Sequence, residues 1–351
     1  MTGESWTSRF WRAIDQRLGL DSLRYEVPAY GNTLPYILGG LTFFALVIIG
    51  LTGIYLAQFY HPHPSLANAS VQFIITSVFF GEFARNLHYW AAQAIMVLII
   101  LHVTRVFLTG AYKKPREFNW IVGVGLLATS IGLYFTGTVL KWDQEAFEAL
   151  EHNIEISELL GVLGSFLSPG FAESVPLLTR LFTAHVSLLP LVFLGLFALH
   201  VFYVRYFGIA PVSKRVQARL INRDKAKGSF SQHAIKILLY GALLFLILAI
   251  LAMAFGAPLG PEPIEGVEVT KPPWPFLWLF PIESTLGIAW LLPASVTPIL
   301  LLLLAPFLDR GEERDPGKRK LFVIAFLVGI GAILALTLIA AFMPTGQHLG
   351  I

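Results

Sequence analysis

Residues 85–110 read RNLHYWAAQAIMVLIILHVTRVFLTG, an apolar run with a histidine near each end, His88 and His102, and an arginine beyond each of them, Arg85 and Arg105. Nothing between the two arginines is charged. A helix of about 20 apolar residues crosses the ~30 Å of hydrocarbon in a bilayer, so this stretch is a membrane span. Polar and ligating residues are costly at that depth, and the two histidines are therefore functional candidates.

The rest of the chain has the same character. Of 351 residues 56% are hydrophobic and 13% charged, a balance that excludes an ordinary soluble domain. Apolar runs at 35–58, 88–110, 119–140, 181–206, 234–256, 286–308 and 320–343 predict seven spans. Of the 25 Lys and Arg, only Arg85, Lys141, Arg180 and Lys271 fall on one side of that alternation. The positive-inside rule then places the N-terminus in the cytoplasm and the C-terminus outside. The first 30 residues carry four arginines and no compact apolar core, so no cleavable signal is expected there.

A second pair of histidines lies in the fourth span, His185 and His200, 15 residues apart where the first pair is 14 apart. At 100° per residue a spacing of 14 falls about 40° short of four turns and one of 15 overshoots by about 60°, so each pair shares a helix face. The rise separates the members by about 21–22 Å along the axis. Spans two and four run in the same direction, which matches His88 with His185 near the outer surface and His102 with His200 near the inner one. Two bis-imidazole sites at two depths suit two haem irons that carry electrons across the bilayer. The bland alternative is four histidines bonded to backbone, or a proton relay in a transporter or channel without haem.

Glycines repeat the period. Gly39 and Gly53 in span one, and Gly123 and Gly137 in span three, are each 14 apart, which puts one glycine from each helix at each level, as a flat cofactor lying against them requires. Arg85 and Arg105 stand at the membrane boundaries, where charge-assisted bonds to haem propionates are expected, against plain interfacial snorkelling. The absence of cysteine excludes disulfides, thiolate metal ligands, iron–sulfur clusters and thioether-attached haem on this chain.

The fold class expected is therefore all-α integral membrane, with seven transmembrane helices forming a dihaem four-helix bundle (spans 1–4) and three C-terminal spans. Residues 1–30 hold an interfacial amphipathic segment in which Trp6, Phe10, Ile14 and Leu18 recur every four residues. Residues 31–206 form the dihaem bundle, 207–232 a basic cytoplasmic linker, and 233–351 a three-helix domain with an outer loop. Two outer loops, 141–179 with its acidic run and the proline-rich 256–283, are long enough for an outside-facing site or docking surface.

These residues bear a resemblance to the cytochrome b of quinol:cytochrome c oxidoreductases, in both the bc and bf complexes. It rests on Arg17-Leu-Gly-Leu, Gly39-Gly40, Arg85-Asn-Leu-His88, the stretch His102 to Gly110, Lys113 to Glu117, Trp142-Asp-Gln144, His185 with Pro190, and the last two spans. The 15-residue spacing in span four and the lack of an eighth span resemble the bf type, here as one polypeptide. The resemblance implies a homodimer in a prokaryotic cytoplasmic membrane, with noncovalent b-type haems at His88/His185 and His102/His200. It also implies quinol oxidation outside, quinone reduction inside, and a Rieske iron–sulfur protein and a c-type cytochrome as partners. Membrane lipids are expected neighbours, nucleic acid is not.

The chain departs from the family where quinol is oxidised. The motif Pro-Glu-Trp-Tyr corresponds to Pro272-Pro273-Trp274-Pro275, and Leu-Pro-Trp-Asp-Gln to Leu140-Lys141-Trp142-Asp143-Gln144. Trp142, Pro273 and Trp274 are thus expected at the outer quinol site, with Asp143, Glu145, Glu283 or His152 standing in for the absent glutamate as proton acceptor. Arg205, His233 and Lys236 are the candidates at the inner quinone site, with phospholipid binding as the alternative. A second reading keeps the haems but makes the chain the membrane subunit of another oxidoreductase, linking the quinone pool to a periplasmic enzyme or multihaem cytochrome.

Overall fold

The computed structural model describes residues 5–18, 26–211, 213 and 228–345. Positions 214–227 of the basic linker lie outside the described residues. Among those described, seven helices are long and apolar enough to cross a membrane: Leu34–Leu56, Gly81–Leu108, Glu117–Leu140, Leu177–Phe207, Phe230–Ala254, Ile288–Leu308 and Lys320–Phe342, spans 1 to 7. Leu51, Leu191, Met253 and Phe342 are strongly exposed on them, as side chains facing lipid are. Span 2 begins about two turns before its apolar run, because the helix continues through the polar interface, and His88 lies well inside it.

Span 1 packs along span 2 and span 3 along span 4, while span 5 closes over spans 1 and 2 through Ile48, Leu87, Ala91, Leu248 and Ala252. Spans 2 and 4 do not pack closely on each other. Across the gap between them the histidines meet. The end bearing His88 and His185 is termed outer and the end bearing His102 and His200 inner, after the cation distribution.

Span 4 is not a continuous α-helix. Between Leu177–Thr183 and Leu189–Phe207 the segment Ala184–Leu188 forms a π-helical turn that contains His185. Pro190 has no N–H to donate to the carbonyl four residues before it, which loosens the α pattern there. A π turn takes up an extra residue, so 15 residues in span 4 carry nearly the phase that 14 carry in span 2. The unequal spacings thereby become equivalent.

The outer end is roofed by two further helices, Ala67–Ser77 and Gln144–Leu159, around a core of Ala67, Val139, Trp142, Leu150 and Leu178. Trp6–Leu18 is helical with Trp6, Phe10 and Trp11 exposed, as befits a surface-lying segment. The departure from an all-helical chain among the described residues is a two-residue antiparallel pairing of Glu26–Val27 with Gly228–Ser229, which ties the approach to span 1 to the approach to span 5.

Candidate functional site

At both levels the structure brings the matched histidines together. The ring centroids of His88 and His185 are 6.4 Å apart, and so are those of His102 and His200. An imidazole nitrogen sits about 2.0–2.1 Å from a bound transition metal and the ring centre roughly 1.2 Å beyond it, so two imidazoles on opposite sides of one metal stand about 6.4 Å apart. The fit holds twice. Among the described residues no three His, Asp or Glu side chains converge as ligands, so a metal at either pair takes its remaining bonds from a group other than those side chains. A planar macrocycle supplies four.

The glycines face the same rings. A Cβ at Gly53 would come within 3.1 Å of His88 Cε1, at Gly137 within 3.0 Å of His185, at Gly39 within 3.2 Å of His102 and at Gly123 within 3.6 Å of His200. What each glycine clears is the imidazole itself as well as the space beside it, which sharpens the reason for the 14-residue period. At the inner level a cavity of about 190 Å³ opens between His102, His200, Gly39 and Gly123, with Arg105, Arg116 and Asn119 at its polar end. Arg105 Nε, Arg116 Nε and Asn119 Oδ1 are buried there without a hydrogen-bond partner. Such a lining suits a flat apolar ring carrying acidic substituents.

Two residues missed by the sequence reading complete the outer pair. Thr52 Oγ1 lies 3.1 Å from His88 Nδ1 and Thr136 Oγ1 2.8 Å from His185 Nδ1. Their signal was present in the sequence: each is the residue before a periodic glycine, Thr52-Gly53 and Thr136-Gly137.

Of the two boundary arginines, Arg105 lines the inner cavity with its guanidinium 4.9 Å from the Tyr36 ring centre. Arg85 has a different engagement: its two amino groups donate to the carbonyls of Ala257 and Pro258, both at 2.7 Å. Asn86 adds a bond to Ala252 and accepts from the Ala257 amide, so Arg85-Asn86 pins the start of the outer loop. The propionate contact expected of Arg85 competes with that anchoring.

The start of the acidic run of 141–179 clasps the second outer loop. Asp143 caps its helix through Ala146 N–H (3.0 Å), accepts from Gly260 N–H (2.7 Å) and pairs with Lys141 (3.0 Å). Gln144 bonds Ile264 and Val267, and Glu148 accepts from Val269 N–H, Thr270 N–H and the Thr270 hydroxyl. With its oxygens so occupied, Asp143 holds the loop. Glu148, not singled out in the sequence, fixes the residues just before Pro272.

Glu145 pairs with Lys141, and burial, the largest influence, raises its carboxyl above the usual range despite that cation. Tyr134 Oη and Trp274 Nε1 donate to the same Gln93 oxygen, at 2.9 and 2.5 Å. Trp274, Gln93 and Tyr134 thus form one polar string at the outer end. Trp142 is buried beneath it with a positive φ of 50°, its carbonyl accepting from Asn68 at 3.1 Å. Pro273 accepts at its carbonyl from Phe276 N–H at 2.8 Å, in the turn that carries Trp274 to Gln93.

Glu283 is drawn to His152 instead, 2.6 Å away, with Glu268 at 3.3 Å. Burial pushes the His152 imidazole down, but its bonds to Glu283 and to the Glu148 carbonyl, with the charge of Glu268, outweigh this and hold it at about 9. A histidine raised above its unfolded value of about 6.5 contributes stability that is full below that pH and lost as pH rises through about 9. Thermal unfolding in detergent should therefore weaken between pH ~6.5 and ~9, and His152→Gln should flatten that slope. An unchanged slope in the variant would refute the clasp.

At the inner end His233 Nδ1 lies 3.0 Å from Asn32 Oδ1 and Lys236 donates to the Asn32 carbonyl at 3.3 Å. Arg205 occupies the last turn of span 4.

Residues 93–266 match the family described as Cytochrome b(N-terminal)/b6/petB. The chain is 39% identical over 213 residues to the menaquinol:cytochrome c reductase cytochrome b subunit of Bacillus subtilis (strain 168), covering 56% of this chain and 95% of that one. It is 32% identical over 327 residues to the cytochrome bc complex cytochrome b subunit of Chlorobaculum thiosulfatiphilum, covering 88% and 76%. Its fold is similar to that of a solved chain titled "Hyperthermophilic respiratory Complex III", with a TM-score of 0.77 at 24% identity over 97% of this chain and 93% of that one.

Proposed function

This chain belongs to the cytochrome b/b6 family, and from that premise we propose that it holds two b-type haems, at His88/His185 and His102/His200, between an outer quinol-oxidising and an inner quinone-reducing site. It is an integral membrane cytochrome b subunit of a quinol:cytochrome c oxidoreductase-type complex. The observation that carries the dihaem reading is the 6.4 Å separation of both ring pairs. When bound, haem accepts and passes on one electron at a time. The chain's own contribution is to hold two imidazoles at each level, clear the space with glycine and exclude water from the path between levels.

At the outer site Trp142, Pro273 and Trp274 shape the quinol-binding end of the bundle, and Glu145 takes the proton. Burial raises its carboxyl above the usual range despite its pairing with Lys141, which makes it a better proton acceptor. Glu145→Gln is expected to slow quinol oxidation by roughly ten- to a hundredfold while leaving the haem spectra unchanged, as loss of a general base does. Unaltered turnover would transfer the role to Glu283 with His152.

The inner site draws on His233 and Lys236 around Asn32, with Arg205 in the last turn of span 4 as a further candidate. The cation distribution supports a cytoplasmic N-terminus and an outside C-terminus, and the same reading puts the chain in a prokaryotic cytoplasmic membrane. Partners of this reading are a Rieske protein and a c-type cytochrome, with the chain as a homodimer. Purification of the native complex tests it. Two b-type haems per chain and a co-purifying Rieske protein are expected; a molybdoenzyme or multihaem cytochrome in its place would overturn the partners.

A further inference from the structure

The two histidine pairs differ in one respect. Each outer imidazole has a threonine hydroxyl at Nδ1, Thr52 for His88 and Thr136 for His185. Each hydroxyl also lies 2.8 Å from the carbonyl four residues back, of Ile48 and of Gly132. A hydroxyl has one hydrogen, and here it goes to the carbonyl, so its lone pair faces the ring and Nδ1–H donates to it. That fixes the tautomer with Nε2 unprotonated, the form that would bind a metal. At the inner level His102 Nδ1 and His200 Nδ1 are both buried with no hydrogen-bond partner. The positions equivalent to the threonines, one before Gly39 and Gly123, are Leu38 and Val122.

We propose that Thr52 and Thr136 are positioning residues that lower the reduction potential of the outer haem through the hydrogen bonds they accept from His88 and His185, an inference that rests on the dihaem reading above. A hydrogen bond accepted from Nδ1–H increases the electron donation of the imidazole and favours the oxidised iron. The inner imidazoles lack that push, and Arg105, which lines their cavity, adds a positive charge that favours the reduced iron. Both effects have the same sign. The threonines act through the histidines and touch neither quinol nor the reacting atoms.

The test is a redox titration of the purified complex by optical and electron-spin spectra, with haem content measured separately. In the Thr52→Val, Thr136→Val double variant the outer haem should become easier to reduce. Its oxidised-to-reduced ratio at fixed ambient potential should fall about tenfold, about 59 mV for a one-electron couple. Thr52→Ser and Thr136→Ser keep the hydroxyl and should keep the potential. Val122→Thr, nearly the same in volume, should lower the inner potential alone. The proposal is overturned if the valine variant leaves the outer potential unchanged, if serine shifts it as far as valine does, or if both haems move together. Should the valine variant lose its outer haem, Val122→Thr decides: no shift at the inner haem ends the proposal. A wild-type complex without two b-type haems would instead overturn the dihaem reading itself.

Discussion

His88→Leu or His185→Leu should take haem content from two per chain to one, and the haem that remains should be the inner one. Each imidazole of the outer pair is half of a site whose rings stand 6.4 Å apart, so the survivor alone cannot bond to both faces of one iron. Loss of a partner in the second layer around a metal already costs about 10–100-fold in affinity, and loss of a first ligand costs more. The reduced-minus-oxidised b-type signal should halve, and a redox titration should resolve one component in place of two. His102→Leu or His200→Leu should give the reciprocal result. Two haems retained at full strength in any of the four variants would refute that ligand.

Why those four residues were legible in the sequence, and others were not, follows from the range of the interactions. Helix phase is local: two histidines 14 apart must share a face, and glycines at the same period must share their depth. The π turn at Ala184–Leu188 was not foreseen, although Pro190 is its local cause, because the spacing of 15 still gave a tolerable phase. Arg85 was read by its place at a boundary, yet its amino groups bind carbonyls more than 170 residues away, at Ala257 and Pro258. Asp143, Gln144 and Glu148 likewise satisfy amides and carbonyls of 260–270, and nothing periodic in either segment announces that pairing. The acidic run reads as a surface only so long as its partners are unknown. Long-range bonds from side chain to irregular backbone leave no pattern in composition, and they decide which of Asp143, Glu145 and Glu283 has a free oxygen.

The same limit hid a charged cluster at the inner end, and its removal should be the largest structural perturbation available outside the histidines. Asp309, between spans 6 and 7, accepts from Tyr112 Oη (2.5 Å) and from Arg319 Nε and Nη2 (2.7 and 2.6 Å), and pairs with Lys113 (2.8 Å). Lys113 was counted among the cytoplasmic cations, but its side chain is 2% exposed and that of Asp309 4%. Arg319 also donates to the carbonyl of Phe107, so the cluster ties the turn after span 2 to the entry of span 7. Asp309→Ala leaves two buried cations facing each other without an anion, a change that costs about 3–5 kcal/mol. The variant should unfold at distinctly lower temperature in detergent. Burial works to raise the Asp309 carboxyl, but the bonds from Lys113, Tyr112 and Arg319 outweigh it and hold it below its usual range. Its stabilisation is thus present above the unfolded value of about 3.9 and lost as pH falls through the folded one, so wild-type protein should lose this increment only in strong acid. Replacing the charges together, with Asp309→Leu, Lys113→Met and Arg319→Met, removes the desolvation cost along with the attraction and should recover most of the loss. A triple variant less stable than Asp309→Ala would show that the cluster holds the inner end by its hydrogen bonds to Tyr112 and Phe107 more than by charge balance.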